Sequence, residues 1–298
     1  YYIYTCNIIY MFKLSILSCC FVVALGRVEM IQSDVQIIKE HPMDPTNVTS
    51  DELTFIISEE WMKMVASCFP NLDPMASISA SFDYSLMGTN TLAWASSTML
   101  LLNDVWQPAL TNKYYTGNDF LIGVNPLPPN GWHVGPMADD CSGISYRYDL
   151  RTVLRHEMMH GIGVGSSFRS NSLGYTSNGK CYPTKYDTMI EDSYGNKVVD
   201  GCTLPNIFGK NVYINGVRLY NPSNYMEGSS LSHHAFAEEL MYWRLSPSKC
   251  TDIGKNELKI LSGIGIHCPN HPQYSGSQRI RPHLWLLLVP LLLLLYDI

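Results

Sequence analysis

The chain has 298 residues, a formal net charge of −6 and 15% charged residues. No stretch is basic enough to bind nucleic acid through a charged face, and no nucleic-acid motif is present, so a nucleic-acid partner is excluded. Gly (21), Pro (17) and Tyr (19) are abundant, which predicts long loops and an irregular fold.

Residues 1–10 precede the first methionine, Met11, and read as leader sequence outside the protein. From Met11 come one basic residue, Lys13, an apolar run from Leu14 to Leu25, and Gly26. This predicts a secretory signal peptide over 11–26, the run being short for a membrane span. Asn47-Val48-Thr49 is a glycosylation sequon, placing a glycan at Asn47 in a secreted chain. The folded domain is expected over 27–274, with room for a short propeptide within 27–70. That length suits one large domain or two lobes around a cleft.

Apolar spacing predicts a helix over 50–67, capped by Ser50 or Asp51, with Leu53, Ile56, Ile57, Trp61, Met64 and Val65 facing inward. Alternation predicts a strand over 76–84, with Ile78, Ala80 and Phe82 on one side, and another over 92–96. Residues 120–125 form the best strand of the chain. It reads either as a core strand or as an edge that pairs with an extended peptide, Gly123 permitting close approach. A loop rich in Pro and Gly follows over 126–145.

The next helical run carries the chemistry. Leu150, Leu154 and Met158 share one stripe; Val153, His156 and His160 share another. Asp149 suits the helix start, and Gly161, Gly163 and Gly165 stop the helix. His156-Glu157-Met158-Met159-His160 is an HExxH motif. Residues four apart lie one turn above each other, so both imidazoles can bind one zinc ion while Glu157 faces a water on it. A third protein ligand is still required. In the compact pattern it is a His three residues after Gly163, but that position is Ser166, a poor zinc ligand. Asp187, Glu191 or a distant His could replace it. His233 and His234 fall at a plausible distance, in Gly228-Ser229-Ser230-Leu231-Ser232-His233-His234, and Met241 follows shortly after.

Between these segments, residues 212–219 predict a hairpin with Asn215-Gly216 at its turn. Later, Thr251 or Asp252 can cap a helix through Glu257, Leu258, Ile260 and Leu261. At the end, Ser275, Gly276 and Ser277, a polar spacer and the apolar tail from Leu284 to Tyr296 match a GPI-attachment signal over 275–298. The alternative is an uncleaved tail anchor.

Of nine Cys, Cys6, Cys19 and Cys20 fall in the leader, leaving Cys68, Cys141, Cys181, Cys202, Cys250 and Cys268. An even number in a secreted chain implies disulfides. Pairing of neighbours in order is expected: Cys68–Cys141, Cys181–Cys202 and Cys250–Cys268. An alternative reading makes Cys68 a thiol that blocks the zinc of a latent enzyme.

Taken together, these motifs resemble the metzincin zinc metalloproteases, and most closely the leishmanolysin-like branch, in which a long insertion separates the Gly turn from the third His. The resemblance rests on residues 156–163, 186–195, 228–233, Leu240-Met241 and the closing run 257–265. It implies an α+β, metzincin-like fold: a mixed twisted sheet with the active-site helix in an upper lobe, and an irregular, disulfide-stabilised lower lobe with a C-terminal helix. It also implies one catalytic Zn2+ on His156, His160 and His233, Glu157 as general base, and Met241 as the Met-turn residue. The implied activity is hydrolysis of protein or peptide substrates by a monomer, secreted or held at the cell surface through a lipid anchor. Two departures stand out. His234 replaces an apolar residue and keeps a claim on the metal, and Tyr242-Trp243-Arg244-Leu245 lacks the usual Pro-containing turn. Asp187, Glu191 and Asp192 read as loop-stabilising residues, and Tyr225 and Tyr242 are candidate oxyanion donors. Other functions compatible with these motifs are a non-catalytic surface recognition protein on a protease-like fold, and a zinc hydrolase of non-peptide bonds.

Overall fold

A computed structural model describes residues 48–68, 78–102, 105–108, 119–135, 141–169, 172–173, 176–177, 180–199 and 206–271. The leader, the signal peptide over 11–26, Asn47, Cys202 and the tail over 275–298 lie outside these residues. Among the described residues the fold is mixed α/β, with four α-helices and several small sheets. No helix among them is long and apolar enough to cross a membrane.

Helix α1 spans Ser50–Cys68. Its cap is Thr49, not Ser50 or Asp51: Thr49 Oγ1 accepts from Glu52 N at 3.2 Å, and Glu52 Oε2 accepts from Thr49 N at 2.8 Å. This reciprocal box satisfies two otherwise orphaned donors. The expected inner face is buried in full. The same helix carries Glu60, whose buried carboxylate takes Arg151 Nη1 at 2.9 Å and Arg155 Nε.

The main sheet joins β1 (Ile78–Phe82), β2 (Ala93–Ser97) and, beyond the hairpin of β3 (Met99–Leu102) and β4 (Val105–Pro108), β5 (Phe120–Val124). The order is β1–β5–β2, with β1 parallel and β2 antiparallel to β5. β5 is therefore the central strand, which corrects its reading as a peptide-binding edge. Its buried Phe120, Ile122 and Val124 are what a strand paired on both sides and covered by helices requires. Gly123 gives room to the protein's own Trp94, not to a ligand: a Cβ there would lie 2.3 Å from Trp94 Nε1. Among the described residues β1 and β2 each pair only with β5, so β2 is one of the two edges of this sheet.

The short β6 (Trp132–His133) and β7 (Tyr148–Asp149) pair in parallel and lead into α2, Leu150–Gly161. Asp149 caps α2, accepting from Thr152 N at 2.8 Å and Thr152 Oγ1 at 2.7 Å. Two arginines of α2 meet Glu60, so α1 clamps α2 through buried charge. The C-terminal end of α2 presses on β5: a Cβ on Gly161 would fall 2.5 Å from the Phe120 ring. A glycine there lets the helix end approach the sheet.

Downstream, β8 (Phe168–Arg169) pairs with β9 (Ser172–Leu173), and β10 (Thr176–Ser177) with β11 (Lys180–Cys181). Helix α3 (Lys185–Met189) starts at a Thr184–Asp187 capping box. β12 (Glu191–Asp192), β13 (Val212–Ile214) and β14 (Val217–Arg218) form an antiparallel sheet. Asn215 and Gly216 turn it with φ of 48° and 75°, the paired positive values a two-residue hairpin needs. Helix α4 spans Lys255–Gly263 and begins at Gly254, whose N–H donates to Glu257 Oε2 at 2.9 Å, in place of the expected cap at Thr251 or Asp252.

The disulfides correct the expected pairing. They are Cys68–Cys268 and Cys141–Cys250, not Cys68–Cys141 and Cys250–Cys268. The cause is packing between distant segments. Asn270 N donates to Ser67 O at 3.3 Å, bringing the chain after α4 to the end of α1. Tyr146 N donates to Ser248 Oγ and Ser248 N to Arg147 O, both at 2.8 Å, joining the loop at Cys141 to the loop at Cys250. Closing loops of 200 and 109 residues constrains the unfolded chain by roughly 5 kcal/mol each in the entropic account. Bonded Cys68 is not the thiol of a latent zinc site. Cys181 is also disulfide-bonded.

Candidate metal centre

A cleft of about 930 Å³ opens between edge strand β2, helix α2 and the segments around residues 163–169, 225–233 and 242–245. At its floor lie three imidazoles. His156 Nε2 is 3.0 Å from His233 Nε2, and His160 Nε2 is 3.3 Å from His233 Nε2. α2 supplies two of the rings one turn apart, and the turn ending at His233 supplies the third.

The protonation of each ring follows from its other nitrogen. His156 Nδ1 lies 2.6 Å from Leu240 O, His160 Nδ1 2.6 Å from Val164 O, and His233 Nδ1 3.1 Å from Ser229 O. A carbonyl only accepts, so each Nδ1–H donates, and each neutral ring turns a bare Nε2 lone pair toward the others. Three lone pairs facing one another repel unless a cation sits among them. Zinc at 2.0–2.1 Å from each nitrogen in tetrahedral geometry places the nitrogens about 3.3 Å apart, close to the 3.0 and 3.3 Å found. The donor set fits zinc, which would keep a fourth position for another ligand, and each ring has the carbonyl partner that orients metal-ligating histidines.

Burial holds all three rings neutral. It is the largest cause of the low pKa of His156, about 3, with His160 adding to it and the Leu240 carbonyl opposing. It also lowers His160 and brings His233 well below the ordinary value, the latter helped by His160 and His156. Glu157 lies in the same cleft, and burial pushes its carboxyl up to about 8. Among the described residues no hydrogen bond or ion pair engages that carboxylate, so it is available to a molecule in the cleft.

The second pair member, His234, is placed elsewhere. It is fully buried outside the cleft lining. Its Nδ1 accepts from Phe236 N at 3.3 Å, so the proton sits on Nε2, which donates to Glu257 Oε1 at 2.7 Å. Its tautomer is the reverse of the three clustered rings, and its only proton goes to a carboxylate. Met241 is fully buried; its N–H donates to Glu257 Oε1 at 2.9 Å and its carbonyl accepts from His234 N at 3.0 Å.

Ser166, in the slot of a compact third ligand, donates through Oγ to Asp187 at 2.8 Å, and its N–H donates to Ser232 Oγ at 3.1 Å. Buried Asp187 also accepts from Ser167 and Thr184. It thereby fixes the segment whose Val164 carbonyl orients His160. Glu191 pairs with Lys197 Nζ at 2.7 Å on the β12 side of the sheet, and Asp192 accepts from Tyr194 N and Asn196 N. Tyr225 gives its hydroxyl to Phe168 O at 2.7 Å, while Tyr242 lines the cleft.

Two residues that sequence reasoning missed complete the turn into His233. Leu231 is a buried non-glycine at φ 66°, a strained conformation that persists only where its surroundings fix it. Its N–H donates to Tyr220 O and its carbonyl accepts the buried Tyr186 hydroxyl, both at 2.8 Å. Tyr186 was legible only as the first residue of the stretch 186–195 that carries the resemblance, with no sign of this contact. Glu257 was legible only as a helical residue.

Comparison with known proteins adds no relative: no family model, no curated protein and no solved structure matches the chain.

Proposed function

We propose that the chain is a zinc-dependent endopeptidase of the metzincin type, with motifs nearest the leishmanolysin-like branch. The observation that carries this reading is the convergence of three Nε2 lone pairs, each set by an Nδ1–H donated to a carbonyl, beside an unengaged buried carboxylate in an open cleft. The split arrangement supports that branch: the third imidazole comes 73 residues after the second, and Ser166 takes a bracing role in place of a ligand.

A zinc ion on His156, His160 and His233 would polarise the scissile carbonyl and bring the pKa of a water toward neutrality. Burial alone keeps the Glu157 carboxyl protonated near neutrality. The charge of a zinc ion beside it would return it to the carboxylate, which takes the proton of the attacking water and passes it to the leaving amine, general base first and general acid second. Its position one residue after His156 keeps it on the cleft side of α2. The buried, neutral rings hold no protons that compete with the cation at pH 7. β2 lines the cleft and, among the described residues, has no strand on its outer side, so an extended peptide can pair with it through backbone hydrogen bonds.

The enzyme acts as a monomer outside the cell, released or lipid-anchored. Two long-range disulfides support an oxidising compartment. Hydrolysis of casein or a peptide library, with and without a chelator, tests the activity. Cleavage that chelation stops and zinc restores is expected. A zinc-loaded protein inert to every peptide overturns the proposal in favour of a non-catalytic recognition protein or a hydrolase of other bonds.

A further inference from the structure

Glu257 projects from α4 into the interior and is fully buried. One of its oxygens, Oε1, accepts both the His234 Nε2–H at 2.7 Å and the Met241 N–H at 2.9 Å; Oε2 accepts Gly254 N–H at 2.9 Å. The His234 backbone closes the loop by donating to Met241 O at 3.0 Å. Residues 234 and 241 are thus fastened to each other and to α4 by a single carboxylate. Between them, next to Met241, lies Leu240, whose carbonyl accepts the Nδ1–H of His156 at 2.6 Å.

His234, Glu239 and Glu257 bring three potential metal-binding atoms together, yet the cluster is not a second metal site. His234 Nδ1 accepts from Phe236 N, so Nε2 carries the ring's proton and offers an ion no lone pair. It faces Glu257 Oε1 at 2.7 Å and Glu239 Oε2 at 3.4 Å, and both Glu239 oxygens take Asn256 Nδ2, at 3.0 and 2.8 Å. The group is a brace.

We propose that Glu257, acting through His234 and the Met241 N–H, is a positioning residue for the metal centre: it holds the Leu240 carbonyl where it fixes the tautomer and orientation of His156. The proposal rests on the zinc reading of the three-histidine cluster. Outer partners of this kind, when removed, typically cost 10–100-fold in metal affinity.

The test measures zinc dissociation constants of the full chain by chelator competition, with the visible spectrum of the Co2+-substituted protein and the melting of the metal-free form alongside. Glu257→Gln is expected to fold, to bind zinc about 10–100-fold more weakly and to show an altered Co2+ spectrum. A folded Glu257→Gln with wild-type affinity and spectrum overturns the inference. Should Glu257→Gln not fold, His234 decides. His234→Gln keeps a donor near the Nε2 position and is expected to stay near wild type, whereas His234→Phe keeps the volume without the donor and is expected to bind zinc more weakly. Equal affinities in these two variants overturn the inference. Wild-type protein that binds no zinc sinks the metal reading itself, a result distinct from any of these.

Discussion

The Nε2 atoms of His156 and His233 stand 3.0 Å apart across 77 residues of sequence. No hydrogen bond accounts for this approach, because each ring has already given its Nδ1 proton to a carbonyl. The three lone pairs form a donor set that could hold one cation, and the arrangement separates the two neighbouring histidines into different surroundings.

Metal content follows from that separation. His233→Ala is expected to purify without zinc, since two ligands on α2 do not complete the set. His234 variants are expected to hold one zinc per chain when metal is in excess, whatever their affinity. Mass spectrometry of the native protein distinguishes the cases, and zinc-free His234 variants at saturating metal contradict the assignment.

Removing the ion should cost stability as well as activity. A ligand present at 1,000 times its dissociation constant stabilises the native state by about 4 kcal/mol. For a domain of this size that corresponds to a melting shift on the order of 10 °C. Calorimetry with and without a chelator reads it directly, and an unchanged midpoint contradicts zinc binding to the native state.

The buried Glu257 carboxylate predicts a pH dependence. Burial pushes its pKa up, but the His234 hydrogen bond and the Met241 N–H outweigh burial and hold it below the ordinary value. A folded pKa below the unfolded one gives stability that is present above the unfolded carboxylate pKa and is lost as pH falls through the folded one. Denaturant unfolding of the metal-free protein from pH 7 down through the carboxylate range should show this loss, and Glu257→Gln should lose less over the same window. An equal loss in both contradicts the assignment.

Glu60 ties α1 to α2 through buried charge, while Arg151 also pairs with Glu59 at 2.7 Å. The Glu60 carboxylate, fully buried, is shared by Arg151 and Arg155 of α2. Glu60→Ala leaves two buried guanidinium groups without it, which typically costs 3–5 kcal/mol. Urea unfolding at pH 7 checks this, and a loss below about 1 kcal/mol shows that the arginines find other partners.

What was legible in the sequence was local. Asp149 before an apolar-periodic run gave the start of α2, Asn215-Gly216 gave the hairpin, and the inner face of α1 was read residue by residue. What was not legible depended on distant pairing. The β5 segment reads as a strand, but its central place comes from β1, joined in parallel after a long connection, and from β2 on its other side. The disulfides are set by the packing of residues 66–67 against residue 270 and of residues 146–147 against residue 248, which no spacing of cysteines encodes. Residue chemistry alone does not separate His233 from His234; only the resemblance favoured His233. Only the carboxylate of Glu257, brought in by α4, removes one of them from the cleft.

The central claim is that Glu157 moves protons for a zinc centre it does not help to hold. The most direct measurement is zinc content together with peptide turnover for wild type and Glu157→Gln. The account predicts one zinc in both, and turnover in the variant lower by at least 10²–10⁴-fold, the range for loss of a general base. Undiminished turnover in Glu157→Gln, or a wild type that carries its zinc and cleaves no peptide, would contradict it.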